Sequence, residues 1–423
     1  MVMNIGQRLF STVRQAIQDM CNVWAGEMRS VFSDEGVLLF FIVLPLFYPL
    51  LYSWIYNNEV VHEVPVAVVD YSHSQDSRNF IHKVDASSGV RLAYYCNNLD
   101  EARSVVGHQD ACGIIYFPAD FALKLHRGEQ AHVGVYCDMS LMLTYKAILQ
   151  SVQAVSMEMG SKIQVAGSTA VTARDEEITT SPLDIEEVPI FNATGGYGNA
   201  ILPGVLMLIL QQSLLLGIGL AAGTDRENNR YHRLMPVYNH CHGIFRIVCG
   251  KAMCYFMIYA VAAAYITLCV PRFFHFTTMV QGSQLLALMV PYLLACIFFG
   301  MMLSCLVRYR ENVMLLVVFT SVPLLFMTGI SWPASNIPGV WKGVSMLFPS
   351  TFGVKGFLAL NSMGGTLNDI HTEYVALWIQ TVVYFVASCA VYRMQIGRSL
   401  SVSVSLPAKE STSAEDIDTL AEN

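Results

Sequence analysis

The sequence predicts an α-helical polytopic membrane protein: six transmembrane helices, both termini inside, and an α/β domain inserted after the first span. Three observations carry this. Of the 423 residues, 54% are hydrophobic and only 13% are charged, with a mean hydropathy of +0.45. A soluble domain carries about 25% charged residues, so this chain has too little polar surface for water. Six apolar stretches reach the roughly 20 residues that a span needs. They are 37–56, 200–222, 252–270, 285–307, 313–330 and 374–392. Finally, about 140 residues after the first stretch, 57–199, alternate short β-type and helical patterns.

The lead, 1–36, comes first. Leu9, Val13, Ile17, Met20, Trp24, Met28 and Val31 recur at spacings of three and four, with Arg8, Arg14 and Glu27 elsewhere around the wheel. That pattern predicts an amphipathic helix lying at the interface. A signal peptide is not expected, because the first strong apolar run begins near Val37, after a long charged lead, and no small-residue cleavage pattern follows Tyr56.

Basic residues then set the orientation. Arg8, Arg14 and Arg29 precede the first span; Arg226, Arg230, Arg233 and Arg246 follow the second; Arg308 and Arg310 follow the fourth; Arg393 and Arg398 follow the sixth. The remaining short loops hold only Arg272, Lys342 and Lys355. The positive-inside rule puts both termini in the cytoplasm and residues 57–199 outside. Lys251, at the edge of the third span, is expected to reach the interface along its stem.

In the inserted region, "VPVAVVD", "VRLAYYC", "ACGIIYFP" and "AHVGVYCD" read as strands, and "SRNFIHKVDA", "NLDEARSVVGHQ" and 139–165 as helices. Asn98 with Glu101 three residues on fits a capping box. "LHRGEQ" reads as a turn, 173–189 as an acidic linker, and the Ser-rich, acidic 393–423 as a disordered tail. Cys96, Cys112 and Cys137 fall together here and allow at most one disulfide.

Chemistry of its own is not expected. Gly250-Lys251-Ala252 lacks the glycine spacing and the Ser/Thr of a phosphate loop. His232, His240, Cys241 and His242 sit among arginines, in a spacing that a regular helix or strand cannot converge on one metal. The central parts of the six spans lack Asp, Glu, Lys and Arg, whereas ion-driven carriers place ionisable groups there. Energy for any transport must come from elsewhere.

The segment "GTDRENNRYHRLMPVYNHCHGIFRIVCGK" is similar to the first cytoplasmic loop of type-2 ABC exporter permeases, where "E-x-E-x-G-T-x-E-x-L-x-x-x-P" forms a coupling helix. Glu227, Leu234, Pro236 and Gly250-Lys251 match, Asp225 stands where an acid is common, and Asn228-Asn229-Arg230 replaces the Gly-Thr. After the fifth span, "GISWPASNIPGVWKGVSMLFPS" resembles the family's "S-G-x-x-x-P-x-x-x-M-P-x-W-x-x-x-x-x-x-P". Gly329, Pro333, Pro338, Trp341 and Pro349 carry that match, and Trp332 suits the outer headgroup level. Residues 333–373 are too apolar for water and too short to span, as expected of re-entrant or interfacial helices. The lead resembles the family's "E-L-x-R-x-x-R-D" elbow through Glu27, Arg29 and Asp34.

The resemblance implies an ABC-2 permease of the six-span subgroup with a large extracytoplasmic domain, exporting an amphiphilic or drug-like substrate across an inner membrane. It implies a second permease subunit, identical or related, and separate ATPase subunits from the cytoplasm. An adaptor protein would meet the outer domain. It implies no catalytic residue, cofactor, metal or nucleic acid for this chain. Contact with the ATPase is expected at Glu27, Arg29, Asp225, Arg226, Glu227 and Arg230, in a coupling loop spanning 223–246. The rival expectations are a membrane-anchored sensor and an ion-driven carrier.

Overall fold

The computed structural model describes residues 5–57, 61–166, 191–192, 196–228, 230–238, 240, 242–304 and 309–404. In chain order these form α1 (Ile5–Ser33), α2 (Glu35–Ile55), β1 (Val64–Asp70), α3 (Gln75–Asp85), β2 (Val90–Cys96) and α4 (Leu99–Gly107). There follow β3 (Gly113–Phe117), α5 (Phe121–His126), β4 (Gly134–Cys137), α6 (Met142–Ala166) and α7 (Tyr197–Glu227). The remainder is α8 (Met235–Tyr238), α9 (Gly243–Phe273), α10 (Gly282–Leu303), α11 (Arg310–Met327), α12 (Gly339–Ser345), α13 (Pro349–Asn361) and α14 (His371–Val404). Two compact units result, Met1–Asn57 with Phe191–Asn423, and Asn58–Ile190.

The first unit holds six helices long and apolar enough to cross a membrane: α2, α7, α9, α10, α11 and α14. It is a polytopic helical bundle. α7 is its axis, with Met207, Leu210, Leu214 and Ile218 fully buried, whereas α11 exposes Phe319, Val318 and Val322. α2 and α9 each widen to a π-turn, at Leu39–Val43 and Tyr265–Cys269, just ahead of Pro45 and Pro271. A proline ring clashes with the carbonyl four residues back, and the wider turn moves that carbonyl away.

Three sequence expectations are corrected. α7 does not stop at Ala222 but runs to Glu227, so Asp225, Arg226 and Glu227 lie on its last turn rather than in a loop. Side-chain partners for the charges let the helix continue. A 3-10 turn (Arg230–Leu234) and α8 follow. α14 likewise continues through 393–404, the start of the expected tail, with Val391, Tyr392 and Ile396 buried. Residues 405–423, the acidic linker, Arg308 and Cys241 lie outside the described residues, as do the side chains of Arg8, Leu9, His232 and Arg233. The third correction concerns Lys251 and is taken up with the site.

The segment after α11 is punctuated residue by residue. Gly329 ends α11 with φ +87°, a left-handed conformation that favours glycine. Pro333 opens a 3-10 turn, Pro338 caps α12, and Pro349 is the first residue of α13. α12 leaves Val340 and Trp341 exposed. α13 turns 89° from it and buries Ser350, Val354 and Phe357 in the bundle. The backbone freed at this bend is satisfied by side chains. The Ser350 N–H donates to Gln211 Oε1 (2.7 Å), Gln380 Nε2 donates to Met346 O (2.7 Å), and the Tyr384 hydroxyl donates to Leu347 O. Irregular backbone inside an apolar bundle requires such partners.

The second unit is a four-stranded sheet in the order β2-β1-β3-β4, parallel except for β4. α3 and α6 cover the face of Val64, Val66 and Val68, and α4 the face of Ala67 and Val69. Its strands and main helices match the sequence expectation; α5 occupies the stretch before Arg127, so the "LHRGEQ" turn begins later. Asn98 caps α4 by accepting from the Glu101 N–H (2.7 Å), but the Glu101 carboxylate takes the Asn97 N–H (2.8 Å) in place of its own cap residue. Cys96, Cys112 and Cys137 are all free thiols. Burial, then the neighbouring Cys112, pushes the Cys137 thiol up.

Candidate functional site

The site is built where α1 lies along α9. α1 buries one edge of its apolar stripe together with a line of acids: Asp19, Val23, Glu27 and Val31 are buried, four residues apart, with Trp24 and Met28 packed beside them, while Val13 and Ile17 stay exposed. Helical periodicity puts positions i, i+4, i+8 on one face. Two acids therefore enter a helix contact, and each meets a base on α9. Asp19 Oδ2 pairs with Arg246 (2.5 Å) and with His240 Nδ1 (3.0 Å). Glu27 Oε2 pairs with Lys251 Nζ (2.9 Å), and its other oxygen accepts from the Tyr255 hydroxyl.

Lys251 is thus not at the interface. Its side chain is 3% exposed and also meets Asp225 of α7 at 2.8 Å. The rings of Tyr231 and Tyr392 lie 5.9 and 5.8 Å from its nitrogen, within cation–π range. The stem could have carried the amine outward; two carboxylates and two aromatic faces hold it inside. Gly250 makes this possible, since a Cβ there would come within 2.9 Å of the Met20 carbonyl and of Val23. The Gly-Lys pair is a close-approach residue followed by a buried cation.

A third acid, Asp34, closes the arrangement. It caps α2 by accepting from the Gly36 and Val37 N–H groups (3.1 and 3.2 Å), accepts from Thr224 of α7 (3.0 Å), and pairs with Arg310 of α11. Burial works to raise its carboxyl; the Val37 N–H, Arg310 and Thr224 outweigh it and hold Asp34 below the usual carboxylate range. Glu227, exposed on the last turn of α7, accepts from the Arg310 N–H (2.9 Å).

Between α1, the end of α7 and the 3-10 turn opens a polar cavity of about 340 Å³, lined among others by Glu27, Arg29, Asp225, Arg230 and Lys251. Arg29 is exposed at its rim, and Arg230 donates to the Ser30 hydroxyl (3.2 Å). Of the six residues expected to meet an ATPase, four surround this cavity. Glu227 turns instead to α11, and Arg226 is half-buried on the same turn. Asp19, Tyr255 and Arg310 are the members that sequence reasoning missed, and Lys251, matched within Gly250-Lys251, was expected at the interface instead. The signal for Lys251 was present, as a lone lysine inside an apolar run with acids upstream.

The family described as ABC-2 family transporter protein matches residues 36–390, spanning α2 to most of α14. The chain belongs to this family. It is a multi-pass membrane permease of an ABC transporter, a transport subunit and not itself an enzyme; the family implies partnership with ABC ATPase subunits. The comparison with curated proteins finds no match. The matched span begins just after α1, so Asp19 and Glu27 of the ion-paired site lie on a helix before it.

Proposed function

We propose that this permease is one of two six-span subunits that form an export path for an amphiphilic or drug-like substrate through an inner membrane. Separate ATPase subunits drive it from the side where α1 and both chain termini lie, and the α/β domain faces the opposite side, where an adaptor protein meets it. The ATPase docks on the cavity rim, contacting Arg29, Arg230 and the exposed end of α7. Trp332, Trp341 and the prolines of the segment after α11 set its outer boundary.

The observation that carries this reading is the Glu27–Lys251–Asp225 triad. It ties α1, α7 and α9 together directly beneath an open, charge-lined cavity. A push on the rim is therefore delivered to two apolar helices rather than absorbed by a loop. Charges at the rim suit a protein contact whose register must be fixed.

The test is co-purification of tagged chain with its ATPase in mild detergent, for the native chain and for Arg29→Ala with Arg230→Ala. Neither arginine belongs to the triad, so the bundle is expected to keep its melting temperature while ATPase retention falls by about tenfold, equivalent to about 1.4 kcal/mol. Retention unchanged in the double variant rejects the docking surface. A folded chain that recruits no ATPase in any gentle preparation rejects the reading.

A further inference from the structure

In open α/β sheets, ligands bind outside the carboxyl ends of the strands. In the α/β unit a crevice opens there between the ends of β1 and β2, whose outgoing connections turn to opposite faces. The chain leaving β1 enters α3, whose Phe80, Ile81 and Val84 pack with Val66 and Val68. The chain leaving β2 enters α4, whose Ala102 packs with Ala67 and Val69 on the other face. A cavity of about 340 Å³ lies at this point, with Val68 and Ile81 at its floor and Asp70, His73, Arg78, His82, Tyr95 and Asn97 around it.

The hydrogen-bonding balance of this crevice says what it holds. Asp70 is the acid among its lining residues, and donors already occupy it: the N–H groups of Ser72 (2.9 Å) and His73 (3.1 Å) on Oδ1, and the Ser77 hydroxyl (2.7 Å) on Oδ2. Arg78 gives one N–H to the His73 carbonyl (3.1 Å), which holds the guanidinium at the crevice while the rest of its donor fork is open. His73 is gripped from both sides, N–H by Asp70 and carbonyl by Arg78, and so keeps a left-handed backbone at φ +44°. The imidazoles of His73 and His82 and the Asn97 amide add further donors. Donors predominate, and three of them already occupy the acid. Such a crevice matches an acceptor-rich ligand, and a guanidinium matches carboxylate or phosphate best. Tyr95, 66% exposed, offers an aromatic wall beside it.

We infer that this crevice binds an organic oxyanion, with a carboxylate or phosphate head on Arg78 and an apolar portion against the Tyr95 ring. The inference rests on the α/β unit alone and is independent of the ATPase-docking reading.

The test uses the full chain in detergent, without ATPase, titrated calorimetrically with hexanoate, hexyl phosphate, inorganic phosphate and a short-chain phosphatidic acid. Saturable binding of at least one tailed anion is expected at a Kd on the order of 1 mM or tighter. Inorganic phosphate should bind more weakly than hexyl phosphate. Arg78→Gln should weaken binding by about tenfold or more, the loss of a charge-assisted hydrogen bond. Asn97→Asp, which adds a negative charge at the exposed rim without touching the Asp70–Arg78 framework, should do the same. Preference for phosphatidic acid would assign a lipid headgroup, and preference for hexanoate or hexyl phosphate a soluble anion. Absence of binding by all four, or binding that neither variant weakens in a folded chain, overturns the inference.

Discussion

The two depths of the helical bundle solve the same problem with different chemistry. Where α1, α7, α9 and α11 meet, polar groups are charged and paired: Asp19 with Arg246, Glu27 and Asp225 with Lys251, Asp34 with Arg310. Around the bend between α12 and α13 they are neutral: Gln211 with Ser350, Gln380 and Tyr384 with backbone carbonyls, and the Tyr292 hydroxyl on Met207 O (2.7 Å). The charged set lies where α1 packs beside the last turn of α7 and the first turns of α9 and α11, next to the charge-lined cavity. The neutral set lies near the middle of α7 and α14, where an ion would be most costly. Charge ties elements together at the rim of the bundle, and neutral hydrogen bonds hold irregular backbone within it.

The comparison breaks most sharply at Lys251. Lys251→Met leaves two buried carboxylates facing each other, and is expected to destabilise the bundle by about 3–5 kcal/mol, the usual cost of removing one member of a buried ion set. Thermal unfolding in detergent reads this. The triple change Glu27→Gln, Asp225→Asn, Lys251→Met should recover most of the loss; failure to recover would mean that Lys251 acts through packing rather than charge. At the neutral depth, Gln211→Leu orphans the Ser350 N–H at the start of α13 and should cost about 1–3 kcal/mol. A cost equal to that of Lys251→Met would erase the distinction.

Much of the fold was legible because periodicity and length carry it. Apolar runs located the six long helices, and alternating patterns located all four strands. Their ends were less legible, since α7 and α14 run on into charged sequence that partners neutralise only in three dimensions. α1 was legible as a helix and so was part of its buried face, since Trp24, Met28 and Val31 of the apolar stripe pack on the bundle; ion pairs with α9, remote in sequence, bury Asp19 and Glu27 beside them. The prolines and glycines after α11 were legible as punctuation, because each acts locally. The crevice of the α/β unit was invisible, depending on which way two connections turn.

Asp34 sharpens the comparison with the smallest effect. Asn is as good an N-cap as Asp, so Asp34→Asn keeps the cap and removes the charge facing Arg310 with the acceptor that Thr224 uses, and should cost about 1 kcal/mol. The folded carboxyl lies below its ordinary 3.8. Its contribution is therefore full above that value and fades as pH falls through the lowered folded pKa. Unfolding curves of the native chain and Asp34→Asn should converge on acidification; a gap that persists would show the carboxylate to be unimportant.

The elbow contact also imposes a schedule on synthesis. Tyr255, which holds the second oxygen of Glu27, follows it by 228 positions. At a translation rate of about 5–20 residues per second, Glu27 emerges about 10–45 s before the helix that will receive it. Throughout that wait the nascent elbow carries unneutralised acids on the face it will later bury. Those acids gain their basic partners only once α9, the third long helix, has been made.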